Sequence, residues 1–114
     1  MKRSLIVGMA LAAGLGLATL RAEEAGKPDA AKVEKGQKVY TEKHCSMCHS
    51  IAGKGNPKTP LDGVGGRLSG DAIKKYITNP KSVKADSKMM AYPNLPAEDL
   101  DALVTYLQTL TTKK

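Results

Sequence analysis

Apolar residues recur at the three- and four-residue spacing of an amphipathic helix in three segments of the chain. The spacing predicts helices over 31–43, 71–78 and 97–111. The third is the clearest, and its apolar face consists of Leu100, Leu103, Val104, Leu107 and Leu110. Because no segment alternates polar and apolar residues as a half-buried strand does, we predict an all-α fold of three to five short helices.

The connection over 50–70 does not follow this pattern. It contains six glycines and two prolines and shows little periodicity. A loop of this length without structure of its own is uncommon inside a compact domain unless it has a function. We therefore expect the segment to wrap around something other than protein.

The N-terminus resembles an export signal. Lys2 and Arg3 precede an apolar run over 5–20, which is shorter than the ~20 residues that span a bilayer. We expect cleavage after Ala22, release into the periplasm and no membrane anchor. The chain then divides into a signal peptide, a flexible leader and one domain, at 1–22, 23–30 and 31–114.

Composition shows what the domain lacks. It has no Trp and no Phe, so the rings that usually fill a small core are scarce, and domains of this size often recruit a disulfide, a metal or a cofactor. Removal of Lys2, Arg3 and Arg21 lowers the 18 Lys and Arg to 15, which face 11 Asp and Glu. The lysines are scattered, so we expect no nucleic-acid partner; they form either a solvated surface or a docking face for acidic proteins.

Every cysteine and histidine lies in one six-residue stretch, His44-Cys45-Ser46-Met47-Cys48-His49. A thioredoxin-like redox pair would need neighbouring strands, and a structural zinc site usually draws its ligands from two separated segments. A lone disulfide would leave His49 and the glycine-rich connection unexplained. Two cysteines separated by two residues and followed by histidine are typical of covalent haem attachment, with the histidine as an axial ligand of the iron. His44 lies outside that pattern and is expected to be exposed or lightly packed.

A sixth ligand to the iron would come from methionine. Met1 and Met9 leave with the signal peptide and Met47 lies inside the attachment stretch, so Met89 and Met90 remain as candidates. Both follow Asn79-Pro80 in a lysine-rich segment without periodicity. Such a segment suits a loop that lies over the far side of a ring.

With these motifs in place, residues 31–112 resemble the class I c-type cytochromes, small proteins that carry one haem. The resemblance rests on a helix with Gly36 and Tyr40, the attachment motif, and the Pro60-Leu61-Asp62-Gly63-Val64-Gly65 segment. It implies that the carbonyl of Pro60 accepts a hydrogen bond from His49. It also places Arg67 where family members often contact a haem propionate, although a surface arginine is an alternative.

The resemblance further distinguishes the two methionines. The segment Lys88-Met89-Met90-Ala91-Tyr92-Pro93-Asn94-Leu95 is similar to the family's ligand loop, in which methionine is followed by proline, an aromatic residue and leucine. Aligning Tyr92 and Leu95 with that pattern implies that Met89 is the ligand. Met90 stands where proline is common, so it remains the reserve candidate.

The expected function is that of a monomeric periplasmic electron carrier with one covalent haem c, bound through Cys45 and Cys48 and ligated by His49 and Met89. With both axial positions filled, the iron offers no place for a small-molecule substrate, and we expect electron transfer without enzymatic chemistry. Lysines near the haem edge would steer the protein to acidic docking faces of redox partners. The alternatives are a dedicated haem subunit of a dehydrogenase or oxidase complex, and a gas-binding sensor.

Overall fold

The computed structural model describes residues 29–112. The predicted signal peptide and residues 23–28 of the predicted leader lie outside the described residues, so the division at 22 and 30 stays a prediction. In chain order the elements are α1 (Ala30–Glu42), a 3-10 turn (Cys45–Met47), β1 (Ser50–Ile51), β2 (Lys54–Gly55), α2 (Val64–Arg67), α3 (Gly70–Thr78), α4 (Pro80–Val83) and α5 (Ala97–Gln108).

Helices α1 and α3 begin at residues whose side chains satisfy free backbone N–H groups. The Asp29 carboxylate accepts a hydrogen bond from the N–H of Ala31 at 2.9 Å, and the Ser69 hydroxyl accepts one from the N–H of Ala72 at 3.1 Å. At the start of α5, Glu98 and Asp99 place negative charge in the first turn, where the helix dipole favours it. The three helices predicted from periodicity are confirmed as α1, α3 and α5.

The last helix ends earlier than the apolar pattern indicated. We predicted a helix to 111, whereas α5 ends at Gln108. Beyond this point the carbonyl of Leu110 accepts a hydrogen bond from the N–H of Gly65 at 2.8 Å. The residues that follow α5 thus bind α2 through this hydrogen bond. Leu110 also packs against the core, although it lies beyond the end of the helix.

The centre of the fold is the crossing of α1 and α5. Gly36 is buried there, and the rings of Tyr40 and Tyr106 pack edge to face with centroids 6.0 Å apart. At the rim, Lys32 pairs with Asp101 at 2.6 Å, but exposed pairs of this kind add little stability. Around the crossing lies a core formed by Val39, Val64, Ile73, Ile77, Leu100, Leu103, Val104 and Leu107.

The connection over 50–70 is more structured than predicted. β1 and β2 form an antiparallel hairpin whose two turn residues, Ala52 and Gly53, both have positive φ, at 53° and 82°. Two successive positive φ values are the mark of a type I′ turn. The expectation that no strand occurs was therefore wrong at this point, because strands of two residues are too short to show alternation.

The same connection is fastened at both ends. Ser50 forms a parallel bridge with Pro60, and the N–H of Ala52 donates to the Asp62 carboxylate at 2.9 Å. Further on, α2 is tied to the end of the chain through Gly65. The glycine-rich segment is thus held against α5 and against the residues that follow the attachment motif. Over the described range, 29–112, no helix combines the length and apolarity needed to cross a membrane.

Candidate functional site

The two cysteines lie on a tight turn that follows α1 directly. His44 has left-handed backbone angles, φ 56° and ψ 38°, and reverses the chain between α1 and the 3-10 turn. The carbonyl of Cys45 then accepts hydrogen bonds from the N–H groups of Cys48 and His49, at 3.1 and 3.0 Å. Cys45, Cys48 and His49 thus all lie on one backbone turn. The His44 side chain is exposed, as the sequence suggested.

The two thiols are free and differ in their surroundings. Cys45 is half-buried and Cys48 is exposed. Burial raises the pKa of the Cys45 thiol to about 11, because an apolar environment disfavours the thiolate. At neutral pH Cys45 is therefore a protonated, weakly nucleophilic thiol, which disfavours the redox-pair interpretation of this motif.

His49 is held by a backbone hydrogen bond. Its Nδ1 lies 3.0 Å from the carbonyl oxygen of Thr59, so the neutral ring carries its proton on Nδ1 and donates it there. Nε2 then keeps its lone pair and is suited to bind a metal. The hydroxyl of Thr59 also donates to the carbonyl of Cys48, so one residue contacts the attachment turn at two points.

This acceptor is one residue earlier than the resemblance implied, since the sequence analysis assigned it to Pro60. The bridge between Ser50 and Pro60 explains the difference. In that bridge the carbonyl of Thr59 accepts a hydrogen bond from the N–H of Ser50, and the N–H of Leu61 donates one to the carbonyl of Ser50. The Thr59 carbonyl and the Leu61 N–H therefore both point towards the segment that contains His49. Because successive carbonyls of an extended chain point in opposite directions, the carbonyl of Pro60 points away from His49. Only the pairing of the two segments reveals this, so no sequence signal identified Thr59.

Arg67 is exposed on α2. Its guanidinium Nη1 donates to the carbonyl of Asp62 at 2.9 Å and thereby ties α2 to the residues just before it. The structure thus gives Arg67 a local role, and a contact with a haem propionate stays a prediction.

The adjacent methionines face opposite ways. Met89 is half-buried and packs against the core, and its N–H donates to the Ser87 hydroxyl at 3.2 Å. Met90 is 69% exposed. Tyr92 and Leu95, which the resemblance aligned with the ligand loop, also pack against the core. The inward side chain of this pair is the one that the alignment selected.

These residues supply the donor set that a haem needs. The turn offers two thiols for thioether bonds and an oriented imidazole, and the loop offers one inward thioether. Half-buried apolar side chains border the core, among them Leu61, Leu68, Met89, Tyr92 and Leu95. In the described part of the chain, no three His, Cys, Asp or Glu side chains converge as metal ligands, so the zinc arrangement considered from the sequence is not formed there.

One polar atom near the motif lacks a partner. The hydroxyl oxygen of Tyr40 is buried and finds no hydrogen bond within residues 29–112. Burial is the main reason that the pKa of Tyr40 rises to about 12, with a further contribution from the nearby Cys45. The folded protein thus keeps this proton to a higher pH than the unfolded chain, whose tyrosines titrate near ~10.

We expect this tyrosine to make stability depend on pH at the alkaline end. Its contribution is complete below about pH 10 and is lost as the pH rises towards about 12, because only the unfolded chain releases the proton in that window. In protein matured with haem, the free energy of unfolding in guanidinium should therefore fall less in Tyr40→Phe than in wild type between about pH 9 and about pH 11. Burial also raises the pKa values of Tyr92 and Tyr106. The free energy of unfolding of Tyr40→Phe should therefore still fall with rising pH, but by less than that of wild type. Equal falls in the two proteins would contradict this prediction.

Comparison with known proteins agrees with the site. Residues 33–111 match the family model of cytochrome c. The chain is also 29% identical over 96 residues to cytochrome c oxidase subunit 2 of Alkalihalophilus pseudofirmus; this alignment covers 76% of the chain but only 28% of that subunit. The family match, residues 33–111, runs from within α1 to beyond α5, and so contains both the attachment turn and the methionine loop. This chain, with its Cys45-x-x-Cys48-His49 turn, therefore belongs to the cytochrome c family.

Proposed function

We propose that this protein is an exported one-electron carrier with a single haem, bound covalently through Cys45 and Cys48 and ligated by His49 and Met89. Membership of the family implies haem-based electron transfer, and the proposal adds the ligands, the covalent bonds and the place of work. The observation that carries it is the arrangement of the donors. The His49 ring is fixed through Nδ1, which leaves Nε2 free, and Met89 is the inward member of the methionine pair.

In this proposal each residue has a separate task. When bound, the haem supplies the reversible one-electron chemistry of its iron. Thr59 holds the imidazole in one tautomer and one orientation, which raises its basicity as a ligand. Met89 would supply the second protein ligand beside His49, and with both bound the iron would offer no site for a substrate. A methionine ligand and an apolar surround both favour the ferrous form and raise the reduction potential.

The ligand assignment can be tested with the ferric absorption spectrum of protein matured by a haem-attachment system. A weak near-infrared band reports sulfur bound to ferric haem iron. We expect this band in wild type and in Met90→Ala, and its complete loss in Met89→Ala. Met90→Ala is a matched control because it removes the same side chain from the neighbouring position, where it is 69% exposed.

The other results would each change the proposal in a defined way. A band that survives in Met89→Ala but is lost in Met90→Ala would move the ligand by one residue and keep the function. If wild type had no such band and the ferrous protein bound carbon monoxide rapidly, the iron would be open. The gas-binding alternative would then replace the carrier.

A second function is favoured by one comparison, the similarity to part of an oxidase subunit. The chain could act as a dedicated haem subunit of a respiratory complex instead of a free carrier. Purification from its native membranes distinguishes the two, because a subunit would appear with other polypeptides at fixed stoichiometry and a carrier as a monomer.

The proposed docking mode follows from charge. Lysines outnumber acidic residues after the predicted cleavage, and we propose that they steer the carrier to acidic faces of its redox partners. Rates of electron transfer should then fall as ionic strength rises, because salt screens charges over about 10 Å at ~0.1 M. Electron-transfer rates that do not change with ionic strength would contradict the proposed docking mode.

A further inference from the structure

Tyr92 joins the methionine loop to two other parts of the fold. Its backbone N–H donates to the carbonyl of Ile77, in the last turn of α3, at 2.8 Å. Its side-chain hydroxyl donates to the carbonyl of Lys43, at the end of α1, at 3.1 Å. The second bond connects residues that are 49 positions apart in the sequence. Tyr92 thus links the loop to both α1 and α3.

These two hydrogen bonds lie close in sequence to both proposed iron ligands. Lys43 immediately precedes His44 and the attachment turn, and Met89 lies three residues before Tyr92. Residues 85–95 contain no helix or strand, and within the described chain Tyr92 makes both of the hydrogen bonds that join them to α1 and α3. The Tyr92 hydroxyl therefore holds the loop that carries Met89 to the end of α1, which leads into the turn that carries His49.

We propose that the Tyr92 hydroxyl is a positioning group, which keeps the Met89 loop closed and so keeps the methionine on the iron. This inference rests on the proposed function, because it presupposes ligation by Met89. The loop can open only when the bonds from Tyr92 to the carbonyls of Lys43 and Ile77 break and the packing of Met89 against the core is lost. Segments that lack regular structure and are held by few bonds are the ones that open locally.

The expected size of the effect follows from that one bond. A typical intramolecular hydrogen bond favours the closed form by a factor of about three to ten, net of the bonds that water would make. Removing the hydroxyl should therefore raise the population of the open loop by about threefold to tenfold. An added ligand that binds only the open form should gain apparent affinity by the same factor.

Imidazole is a suitable probe, because it binds ferric haem iron only where methionine has left. The experiment titrates imidazole into ferric wild type and Tyr92→Phe and compares their apparent dissociation constants. Phenylalanine keeps the ring that packs against the core and removes only the hydroxyl. We expect Tyr92→Phe to bind imidazole about threefold to tenfold more tightly, while its near-infrared sulfur band without imidazole remains.

Two control variants separate this bond from general effects. Lys43→Ala removes the lysine side chain but leaves the backbone carbonyl that accepts the bond, so its imidazole affinity should equal that of wild type. Tyr106→Phe removes the hydroxyl of another half-buried tyrosine, which packs against Tyr40 at the crossing of α1 and α5, and should also have no effect. A purely structural role of Tyr92 would lower the free energy of unfolding without moving the imidazole affinity, since the unfolded fraction is negligible in native buffer.

The possible failures are distinguishable. If wild type shows the sulfur band and Tyr92→Phe binds imidazole like wild type, the inference is wrong and the proposed function stands. An equal gain in Tyr92→Phe, Lys43→Ala and Tyr106→Phe would also overturn it, since the effect would not come from this bond. If wild type itself lacks the band and binds imidazole without competition, the proposed function fails, and the inference fails with it.

Discussion

Protein made without haem attachment is expected to lose most of its helical signal in far-UV circular dichroism and to show no cooperative unfolding transition. The reason is the small size of the core that the side chains form by themselves. Its largest members are leucines and isoleucines, and no large side chain within residues 29–112 is completely enclosed. A small domain with so modest a core is not expected to offset the conformational entropy of folding.

Several side chains would gain burial from a bound porphyrin. Leu61, Leu68, Met89 and Leu95 lie against the core but are only partly covered. Covering apolar surface contributes about 25 cal/mol for each Å² removed from water, and the tetrapyrrole adds apolar area of its own. The cofactor is therefore expected to act as part of the core as well as the redox group.

The measurement compares the same chain produced with and without a haem-attachment system. The matured protein should show the helical spectrum and a sigmoidal transition in guanidinium. The haem-free chain should resemble an unfolded polypeptide already in buffer. A haem-free chain with a native-like spectrum and its own cooperative transition would contradict the prediction, and would show that the side-chain core suffices.

The comparison of sequence with structure shows which features are local. The helix over 71–78 was predicted to within one residue, because its apolar spacing lies within the segment and the Asn79-Pro80 stop follows it directly. The proposed attachment motif is equally local, since a haem would fix the spacing of Cys45, Cys48 and His49. Features of this kind depend on neighbours along the chain, and the sequence displays them directly.

Features that depend on pairing between distant segments were not accessible in this way. The Thr59 carbonyl becomes the partner of His49 only through the bridge between Ser50 and Pro60. The bond from Tyr92 to Lys43 likewise joins two ends of the fold. Elimination among the methionines left two adjacent residues of the same type, and tertiary packing, not composition, turns one of them inward.

Gly36→Ala is expected to destabilise the protein by about 2 kcal/mol, which lowers Tm by about 10 °C for a domain of this size. A β-carbon built at Gly36 would lie 2.5 Å from the Cβ of Tyr106 and 2.9 Å from the carbonyl carbon of Ala102, and it would also clash with the Ala102 carbonyl oxygen. These obstacles lie on or next to the backbone of α5, so no side-chain rotation can relieve them. The two helices must therefore separate at their crossing.

The size of this effect is a difference of two opposing terms. Overpacking against a rigid backbone costs about 3 kcal/mol, whereas alanine gains about 1 kcal/mol over glycine inside a helix. Gly66→Ala in α2 isolates the second term, because its β-carbon would meet only the Thr111 carbonyl, at 3.8 Å, an ordinary contact. Unfolding of both variants in guanidinium should thus show a large loss for Gly36→Ala and no loss for Gly66→Ala. Equal changes in the two would contradict the prediction, because they would mean that α1 and α5 do not approach each other closely at Gly36.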